Sequence, residues 1–233
     1  MTAPKRLALI PARGGSQRIP RKNIRRFCGQ PIIKYSIDAA KASGLFDVIM
    51  VSTDDHEIAE VARQFGAEVP FMRSAKNADH EATTLDVIQE VLASYRARGV
   101  DFESCCCIYP TAPLIQPESL RASFEQLERD QLDSVFPVVA FDYPVQRATR
   151  INAAGCLELI DAGHRFSRSQ DLEPAYHDAG QFYTFRTDAL LKTGDIWTEK
   201  TGAVVLNPMQ VQDIDTEDDW AVAELKFERI HDP

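Results

Sequence analysis

Short apolar runs alternate along this chain with longer segments in which apolar residues recur every three or four positions. The short runs predict buried strands, and the periodic segments predict amphipathic helices. Their alternation predicts βαβ units, and therefore an α/β fold with a mainly parallel central sheet flanked by helices. The predicted strands are residues 7–12, 48–52, 105–109 and 134–139, and the predicted helices are residues 31–43, 56–65, 83–98 and 118–130, with a last helical stripe through Trp220, Ala223, Phe227 and Ile230.

The alternation stops between about residues 141 and 178. This region holds two short candidate strands, residues 149–152 and 156–160, and a polar stretch. It is too long for a simple connection inside a compact domain. The 233-residue chain has no low-complexity linker and no internal repeat. We therefore expect a single domain, residues 1–233, that carries an insertion at about 141–178.

Composition excludes several classes of protein. The chain has a net charge of -9, which argues against general nucleic-acid binding. No apolar run approaches the roughly 20 residues that span a membrane, and the N-terminal residues do not resemble a secretory signal. Three adjacent cysteines, Cys105, Cys106 and Cys107, suit neither a disulfide framework nor a zinc site and are predicted to be buried thiols. We expect a cytoplasmic protein that binds neither membranes nor nucleic acid.

One loop opposes the overall acidity. Between Arg13 and Arg26 the chain carries six cationic side chains and no acid, around the sequence Gly14-Gly15-Ser16. A glycine turn after a strand exposes backbone N–H groups to an anion, and arginine can bind phosphate oxygens in pairs. Neither G-x-G-x-x-G nor the Walker pattern is present. The loop indicates a phosphate-binding site, and the alternative is a solvated loop with a chance run of charge.

A second candidate site lies near the other end of the chain. In an extended segment residues i and i+2 point to the same side, so Asp213 and Asp215 present two carboxylates together while Ile214 turns into the core. Such carboxylates repel each other unless a cation lies between them, and Mg²⁺ commonly bridges carboxylates to phosphates. The alternative is that Asp215 or Thr216 caps the last helix.

The basic loop carries a resemblance to a known family. The segments ARGGS (12–16), RIP (18–20) and KN (22–23) resemble the nucleotide-binding signature of the CMP-sialic acid synthetases, cytidylyltransferases that activate nine-carbon acidic sugars. The likeness runs from Leu7 to about Ile230. It departs at Gln17, where many relatives carry a lysine, so one phosphate-directed charge is missing. The resemblance implies a nucleotidyltransferase fold related to the GT-A glycosyltransferases.

The family's site residues carry over to matching positions of this chain. The resemblance implies that the loop wraps the triphosphate of CTP and that Asp213 and Asp215 bind Mg²⁺. Arg13 and Lys22 join these aspartates as the implied catalytic residues. Thr83 or Thr84 has an alternative role as a helix cap, with Asp86 completing a capping box. The implied nucleotide contacts are Ala12, Arg13, Gly14, Gly15, Ser16, Lys22, Asn23, Arg73, Ala82 and Thr84.

Three segments bear on the sugar. Tyr109 stands where the sialic acid enzymes usually carry a glutamine. The pattern Arg168-x-Gln170, together with the segment around His177, resembles the branch of the family that acts on pseudaminic acid. The alternative for His177 is a hydrogen-bonded structural histidine. The implied sugar contacts are Tyr109, Arg168, Gln170 and His177.

The resemblance also implies a reaction and an assembly. CTP and pseudaminic acid would give CMP-pseudaminic acid and pyrophosphate. The alternatives are a synthetase for N-acetylneuraminate or another nonulosonate, and a nucleotide-binding regulatory protein without turnover. Relatives use the region that corresponds to residues 141–178 to pair two subunits, so we expect a homodimer in which the neighbourhood of Arg168 approaches the partner's active site.

Overall fold

The structure, a computed structural model, describes residues 6–16, 18–79 and 81–231. Gln17, where the sequence departs from the family pattern, lies outside the described residues. The strands are β1 Arg6–Pro11, β2 Arg26–Phe27, β3 Gln30–Pro31, β4 Val48–Ser52, β5 Ser104–Ile108, β6 Ser134–Ala140, β7 Thr149–Ile151, β8 Leu157–Leu159, β9 Tyr176–Asp178, β10 Phe182–Arg186 and β11 Thr201–Val205. The helices are α1 Ile33–Ser43, α2 His56–Gln64, α3 Ala75–Ala78, α4 Thr84–Arg96, α5 Pro117–Arg129, α6 Thr187–Thr193 and α7 Glu217–His231.

A mixed sheet forms the centre of the molecule. Within the described residues it has seven strands in the order β11-β6-β10-β5-β1-β4, with β9 also paired to β6. β4, β1 and β5 are mutually parallel, and β11 is parallel to β6. β10 runs antiparallel between β5 and β6, and β9 is antiparallel to β6. The predicted mainly parallel sheet flanked by helices is confirmed.

Strand alternation divides the core between the two faces of this sheet. In β1, Ala8 and Ile10 face a layer that contains α1, α2 and α5, whereas Leu7 and Leu9 face α4. All four side chains are fully buried. The cysteines of β5 alternate in the same way, and burial raises the pKa of each thiol, that of Cys106 to about 12. The prediction that these thiols are free and buried is confirmed.

Side-chain caps fix the ends of the helices near the site. Thr83 Oγ1 accepts a hydrogen bond from the Asp86 N–H at 3.2 Å, and Asp86 Oδ2 accepts one from the Thr83 N–H at 2.9 Å. The predicted capping box is therefore confirmed and belongs to Thr83, which leaves the Thr84 side chain available to the site. None of the helices in the described ranges is both long and apolar enough to cross a membrane.

The parallel strands place three loops at one edge of the sheet. β1, β4 and β5 are in register, with Pro11 opposite Ser52 and Leu9 opposite Cys107. Carboxyl ends of parallel strands meet at the same edge, which is where open α/β sheets bind ligands. The basic loop after β1 and Tyr109 after β5 therefore lie side by side.

The irregular region 141–178 is built from a small hairpin and short turns. β7 and β8 pair antiparallel, with Thr149 opposite Leu159, and both candidate strands are confirmed with shorter bounds. β9, at the end of the region, returns to the central sheet beside β6. The hairpin exposes apolar side chains: Ile151 is 75% exposed and Leu157 is 71% exposed. That the whole chain acts as one domain stays a prediction.

Candidate active site

Two cations of the basic loop hold it against neighbouring helices. Arg21 Nη1 pairs with Asp55 Oδ2 at 2.5 Å, and this contact lowers the pKa of Asp55, the N-cap of α2, to about 2. Arg25 Nη1 pairs with Glu217 of α7 at 2.5 Å and lies over the ring of Trp220 at 4.6 Å. These two arginines form ion pairs within the protein, so only the other cations of the loop are available to bind an anion.

Three other cations of the loop line one cleft of about 370 Å³. Arg13, Arg18 and Lys22 border it together with Asp213 and Asp215. Arg18 Nη1 lies 2.5 Å from Asp215 Oδ2, and Lys22 Nζ lies 3.6 Å from Asp215 Oδ1. The basic and acidic candidate sites, 197 residues apart in sequence at Arg18 and Asp215, therefore form a single site.

Glycine is required in the loop at Gly14 for steric reasons. A Cβ atom at this position would lie 2.9 Å from Asp55 Oδ2, closer than such atoms approach. The Gly14 N–H donates to Asp54 Oδ1 at 2.9 Å, and the Ser16 N–H donates to the Gly14 carbonyl at 3.1 Å, so both amides are engaged within the protein. Gly15 is exposed and would meet nothing within 4 Å as alanine, which leaves open surface beside the cations.

Two predicted nucleotide contacts support the loop from behind. Ala12 is fully buried, and its N–H donates to the Ser52 carbonyl at 2.9 Å. Asn23 is 7% exposed, and its Nδ2 donates to the Arg13 carbonyl at 2.8 Å. Asn23 thereby fixes the backbone that carries the Arg13 side chain. Asn23 and Ser16 also border a second part of the site, a cavity of about 440 Å³ lined by the same three cations.

The same cleft also contains three further residues predicted to contact the nucleotide. Arg73, Ala82 and Thr84 line it, as does Tyr109, which was predicted to contact the sugar. Arg73 is buried, and its guanidinium donates to Ser52 through Nε to Oγ at 3.1 Å and through Nη2 to the carbonyl at 2.5 Å. Burial lowers the pKa of Arg73. Thr84 Oγ1 lies 3.3 Å from the Tyr109 hydroxyl, within hydrogen-bonding distance.

The acidic pair has the geometry that the sequence predicts. Ile214 is 1% exposed and packs in the core, while Asp213 and Asp215 both line the cleft. Partial desolvation raises the pKa of Asp213, and the charge of Asp215 raises it further. The cap of α7 is formed by Thr216 and Asp219, through the Thr216 N–H to Asp219 Oδ2 at 2.8 Å and the Asp219 N–H to Thr216 Oγ1 at 3.2 Å. Asp215 is therefore not needed as the cap.

The chemistry of this pair suits a magnesium ion. Two hard oxygen donors face the cleft, and their mutual repulsion favours a cation between them. Among the described residues, no group of three or more His, Cys, Asp or Glu side chains is arranged to hold a metal. A metal bound here would complete its coordination with phosphate oxygens and water, which is the usual arrangement for Mg²⁺.

A larger cavity adjoins the cleft at Asp213. Its volume is about 600 Å³, and Asp213 lines both spaces. His177 borders it, with Nδ1 2.9 Å from the Asp178 carbonyl oxygen and the ring centroid 5.0 Å from that of Phe141. A molecule that reacts with a group in the cleft could bind in this cavity. The cavity is lined by Val139, Ala140, Phe141, Asp142, Tyr143, His177, Asp178, Ala179, Pro208, Val211, Gln212, Asp213 and Lys226.

The four predicted sugar contacts do not meet in one subunit. Tyr109 lines the cleft and His177 the larger cavity, whereas Gln170 lines a third pocket that shares Phe141 with that cavity. Arg168 is exposed and lies outside these three spaces. The structure thus places these four residues in different surroundings.

Sequence reasoning missed several polar residues of the larger cavity, among them Asp178 and Lys226. Asp178 accepts hydrogen bonds from the Tyr183 hydroxyl at 2.6 Å and from the Gly180 N–H at 2.8 Å. Lys226 reaches the cavity from α7. The Asp178 carboxylate follows a candidate histidine directly and could have been noticed there. Lys226 gives no signal, because a lysine on a mixed polar and apolar helix is ordinary.

The chain resembles known proteins in sequence and in fold. A family described as Cytidylyltransferase matches residues 7–216. The chain is 40% identical to the pseudaminic acid cytidylyltransferase of Campylobacter jejuni, over 98% of each protein. It is 32% identical to the CMP-N,N'-diacetyllegionaminic acid synthase of Legionella pneumophila, over 95% of this chain and 96% of that one. A solved structure of CMP:2-keto-3-deoxy-manno-octonic acid synthetase complexed with CTP has a TM-score of 0.70 at 18% identity, covering 97% of this chain and 99% of the other, and it shows a shared fold.

Proposed function

The chain belongs to the cytidylyltransferase family, and from that premise we propose that it transfers CMP from CTP to the anomeric hydroxyl of pseudaminic acid. One observation carries the proposal: Arg13, Arg18 and Lys22 line a single cleft together with Asp213 and Asp215. Such a cleft presents cations to a triphosphate and paired carboxylates to a metal. The 40% identity over the full length of a pseudaminic acid cytidylyltransferase supports the choice of sugar.

The residues of the cleft would have different roles in the reaction. The anomeric hydroxyl loses its proton to water, its oxygen forms a bond to the α-phosphorus of CTP, and the bond from that phosphorus to the pyrophosphate oxygen breaks. Arg13, Arg18 and Lys22 would bind the phosphates and stabilise the negative charge on the leaving pyrophosphate. Asp213 and Asp215 would hold magnesium, which when bound neutralises charge at the α-phosphate and lowers the pKa of the attacking hydroxyl.

Substrate binding would exchange one set of ion pairs for another. In the structure, Arg18 and Lys22 pair with Asp215. When CTP binds, its phosphates would pair with these two cations, and Asp215 would bind the metal instead. The cleft would therefore remain electrostatically compensated before and after CTP binds, which avoids an unpaired charge in either state.

The apolar part of the larger cavity suits a sugar with few hydroxyls. Val139, Phe141, Tyr143 and Val211 give it apolar surface, and Tyr109 adds an aromatic face at the adjoining cleft. Pseudaminic acid has a deoxy carbon nine and an acylamino group at carbon seven, so it presents more apolar surface than N-acetylneuraminic acid. A second candidate sugar is diacetyllegionaminic acid, which the 32% identity to the Legionella synthase favours.

A panel of acceptors tests the proposed sugar. Pyrophosphate release from CTP should give a kcat/KM for pseudaminic acid at least about tenfold above those for N,N'-diacetyllegionaminic and N-acetylneuraminic acids, because unmatched polar groups in a closed site are costly. A preference for either of the other two acids would contradict the pseudaminic acid assignment and leave the family membership intact.

We also propose that the enzyme works as a homodimer, with residues 1–233 acting as one domain per subunit. Several apolar side chains of region 141–178 are exposed, among them Phe166 at 90% and Ile160 at 62%. Exposed apolar surface of this kind is typical of interaction sites. Pairing through it would cover these side chains and would bring Arg168 to a partner's active site. The reaction would take place in the cytoplasm, where thiols such as Cys28 stay reduced.

Light scattering tests the dimer. The wild-type chain should have the mass of two subunits at micromolar concentration, and Ile151→Ser combined with Phe166→Ser should shift it towards one subunit with reduced turnover of the sugar. Leu191→Ser is the control, because Leu191 is an exposed apolar residue of α6, outside the region. A fully active wild-type monomer would contradict the proposal.

A further inference from the structure

Lys226 connects α7 to the segment that carries Asp213. Its Nζ donates to the Val211 carbonyl at 2.6 Å and to the Pro208 carbonyl at 3.1 Å. An ammonium group has three N–H donors, so one is left after these two bonds. Lys226 also lines the 600 Å³ cavity beside the cleft. Its remaining N–H is therefore available to a molecule bound in that cavity.

Among the described residues Lys226 has no ion-pair contact within 4 Å, although the Asp142 carboxylate in the same cavity attracts its charge from farther away. The same cavity is lined by the carboxylates of Asp142, Asp178 and Asp213. Asp178 is occupied by the Tyr183 hydroxyl, and Asp213 belongs to the metal-binding pair proposed above. An anionic group in this cavity would therefore be repelled by the three carboxylates and attracted by Lys226.

The chemistry of the acceptor places an anion close to this point. In a nonulosonic acid the carboxylate is bonded directly to the anomeric carbon, whose hydroxyl attacks CTP. If that hydroxyl lies at Asp213, the carboxylate lies only a few atoms away. Val211, to which Lys226 is hydrogen bonded, precedes Asp213 by two residues, at most about 7 Å along an extended chain. Lys226 is thus held against the segment that carries Asp213, and it lines the cavity into which the carboxylate would extend.

We propose that Lys226 binds the carboxylate of the acceptor sugar and so determines which end of the sugar faces CTP. The inference rests on the proposed function and adds a specificity-determining residue to it. A neutral sugar would leave the ammonium group without its partner, so the site would select acidic acceptors. The two backbone hydrogen bonds hold the ammonium in place before the sugar arrives, which reduces the entropy lost on binding.

A variant and a modified substrate together test this contact. Lys226→Met keeps the length of the side chain and removes its charge. Its KM for the nonulosonic acid should rise about 10- to 100-fold, the usual effect of losing a hydrogen bond to a charged group, while its KM for CTP stays the same. With the C1 carboxamide of the same sugar, which has no negative charge, Lys226→Met and wild type should react equally slowly. Lys226→Arg should recover most of the affinity for the acid. The control Lys192→Met removes an exposed lysine of α6 and should behave as wild type.

The outcomes separate this inference from the proposed function. If wild type forms no CMP-sugar from any nonulosonic acid, the proposed function fails. If wild type is active and Lys226→Met uses the acid normally, the contact with Lys226 is disproved. If Lys226→Met loses activity equally with the acid, the carboxamide and CTP, Lys226 has a purely structural role, and this outcome would also overturn the inference. If Lys226→Met does not fold, wild type and Lys226→Arg are compared on the acid and the carboxamide instead. Equal use of the two sugars by wild type contradicts the inference. A preference for the acid in both proteins supports it.

Discussion

Asp215→Asn should lower the kcat for CMP-sugar formation by about 10²- to 10³-fold, the usual cost of removing one group that stabilises transition-state charge. Asparagine keeps the shape of the side chain but removes the charge that pairs with Arg18 and Lys22 and that we propose binds magnesium. The cap of α7 does not depend on this side chain, since Thr216 and Asp219 form it. The variant should therefore stay folded, as measured by its thermal midpoint. Asp213→Asn should also be impaired, but less so.

Asp218→Asn is the matched control for this prediction. Asp218 is an exposed acid in the first turn of α7 and lies outside the cleft, so its loss removes the same charge from the same region. Its magnesium-dependent pyrophosphate release should equal that of wild type. Normal turnover in both Asp213→Asn and Asp215→Asn would show that the acidic pair only supports the start of the helix, and the metal assignment would be wrong.

Arg13→Ala and Lys22→Ala should raise the KM for CTP by about 10- to 100-fold, because each removes a charge-assisted hydrogen bond to phosphate. Arg13 also donates to the Asp79 carbonyl at 3.2 Å, a contact of little consequence for stability, so unfolding free energy should change by no more than about 0.5 kcal/mol. Lys22 donates to the Ile214 carbonyl as well, so Lys22→Ala should lose more stability than Arg13→Ala.

Arg26→Ala serves as the control for the loop. Arg26 is exposed at the end of the same charge run and does not line the cleft. Titration of CTP in pyrophosphate-release assays should leave its KM unchanged. If Arg13→Ala and Lys22→Ala also retained the wild-type KM, the loop would be an ordinary solvated surface.

Much of the fold follows from local sequence pattern. Strands β1, β4, β5 and β6 are short apolar runs between periodic helices, and the structure confirms all four. β10 was not predicted. It follows the irregular region 141–178, and it enters the sheet antiparallel between β5 and β6. A strand's position in a sheet depends on pairings with distant segments, which its own pattern of side chains does not specify.

In the site, too, local features could be predicted from the sequence, whereas contacts between distant segments could not. The sequence identified a basic loop and an acidic pair separately, and spacing alone predicted that Asp213 and Asp215 share a side. That Arg18 and Lys22 meet Asp215 could not be derived, because this contact depends on how the chain closes over nearly 200 residues. The charge of a side chain also does not identify its ion-pair partner. Arg21 and Arg25 resemble their neighbours in sequence, yet they hold the loop to α2 and α7.

Direct observation of the products tests the central claim. Purified protein is incubated with CTP and pseudaminic acid, with and without Mg²⁺, and the phosphorus species are followed by NMR. We predict that CTP is converted to CMP-pseudaminic acid and pyrophosphate in equal amounts, only when both the sugar and the metal ion are present. CTP that binds to the protein but stays unchanged under these conditions would contradict the account and would indicate a regulatory nucleotide-binding protein.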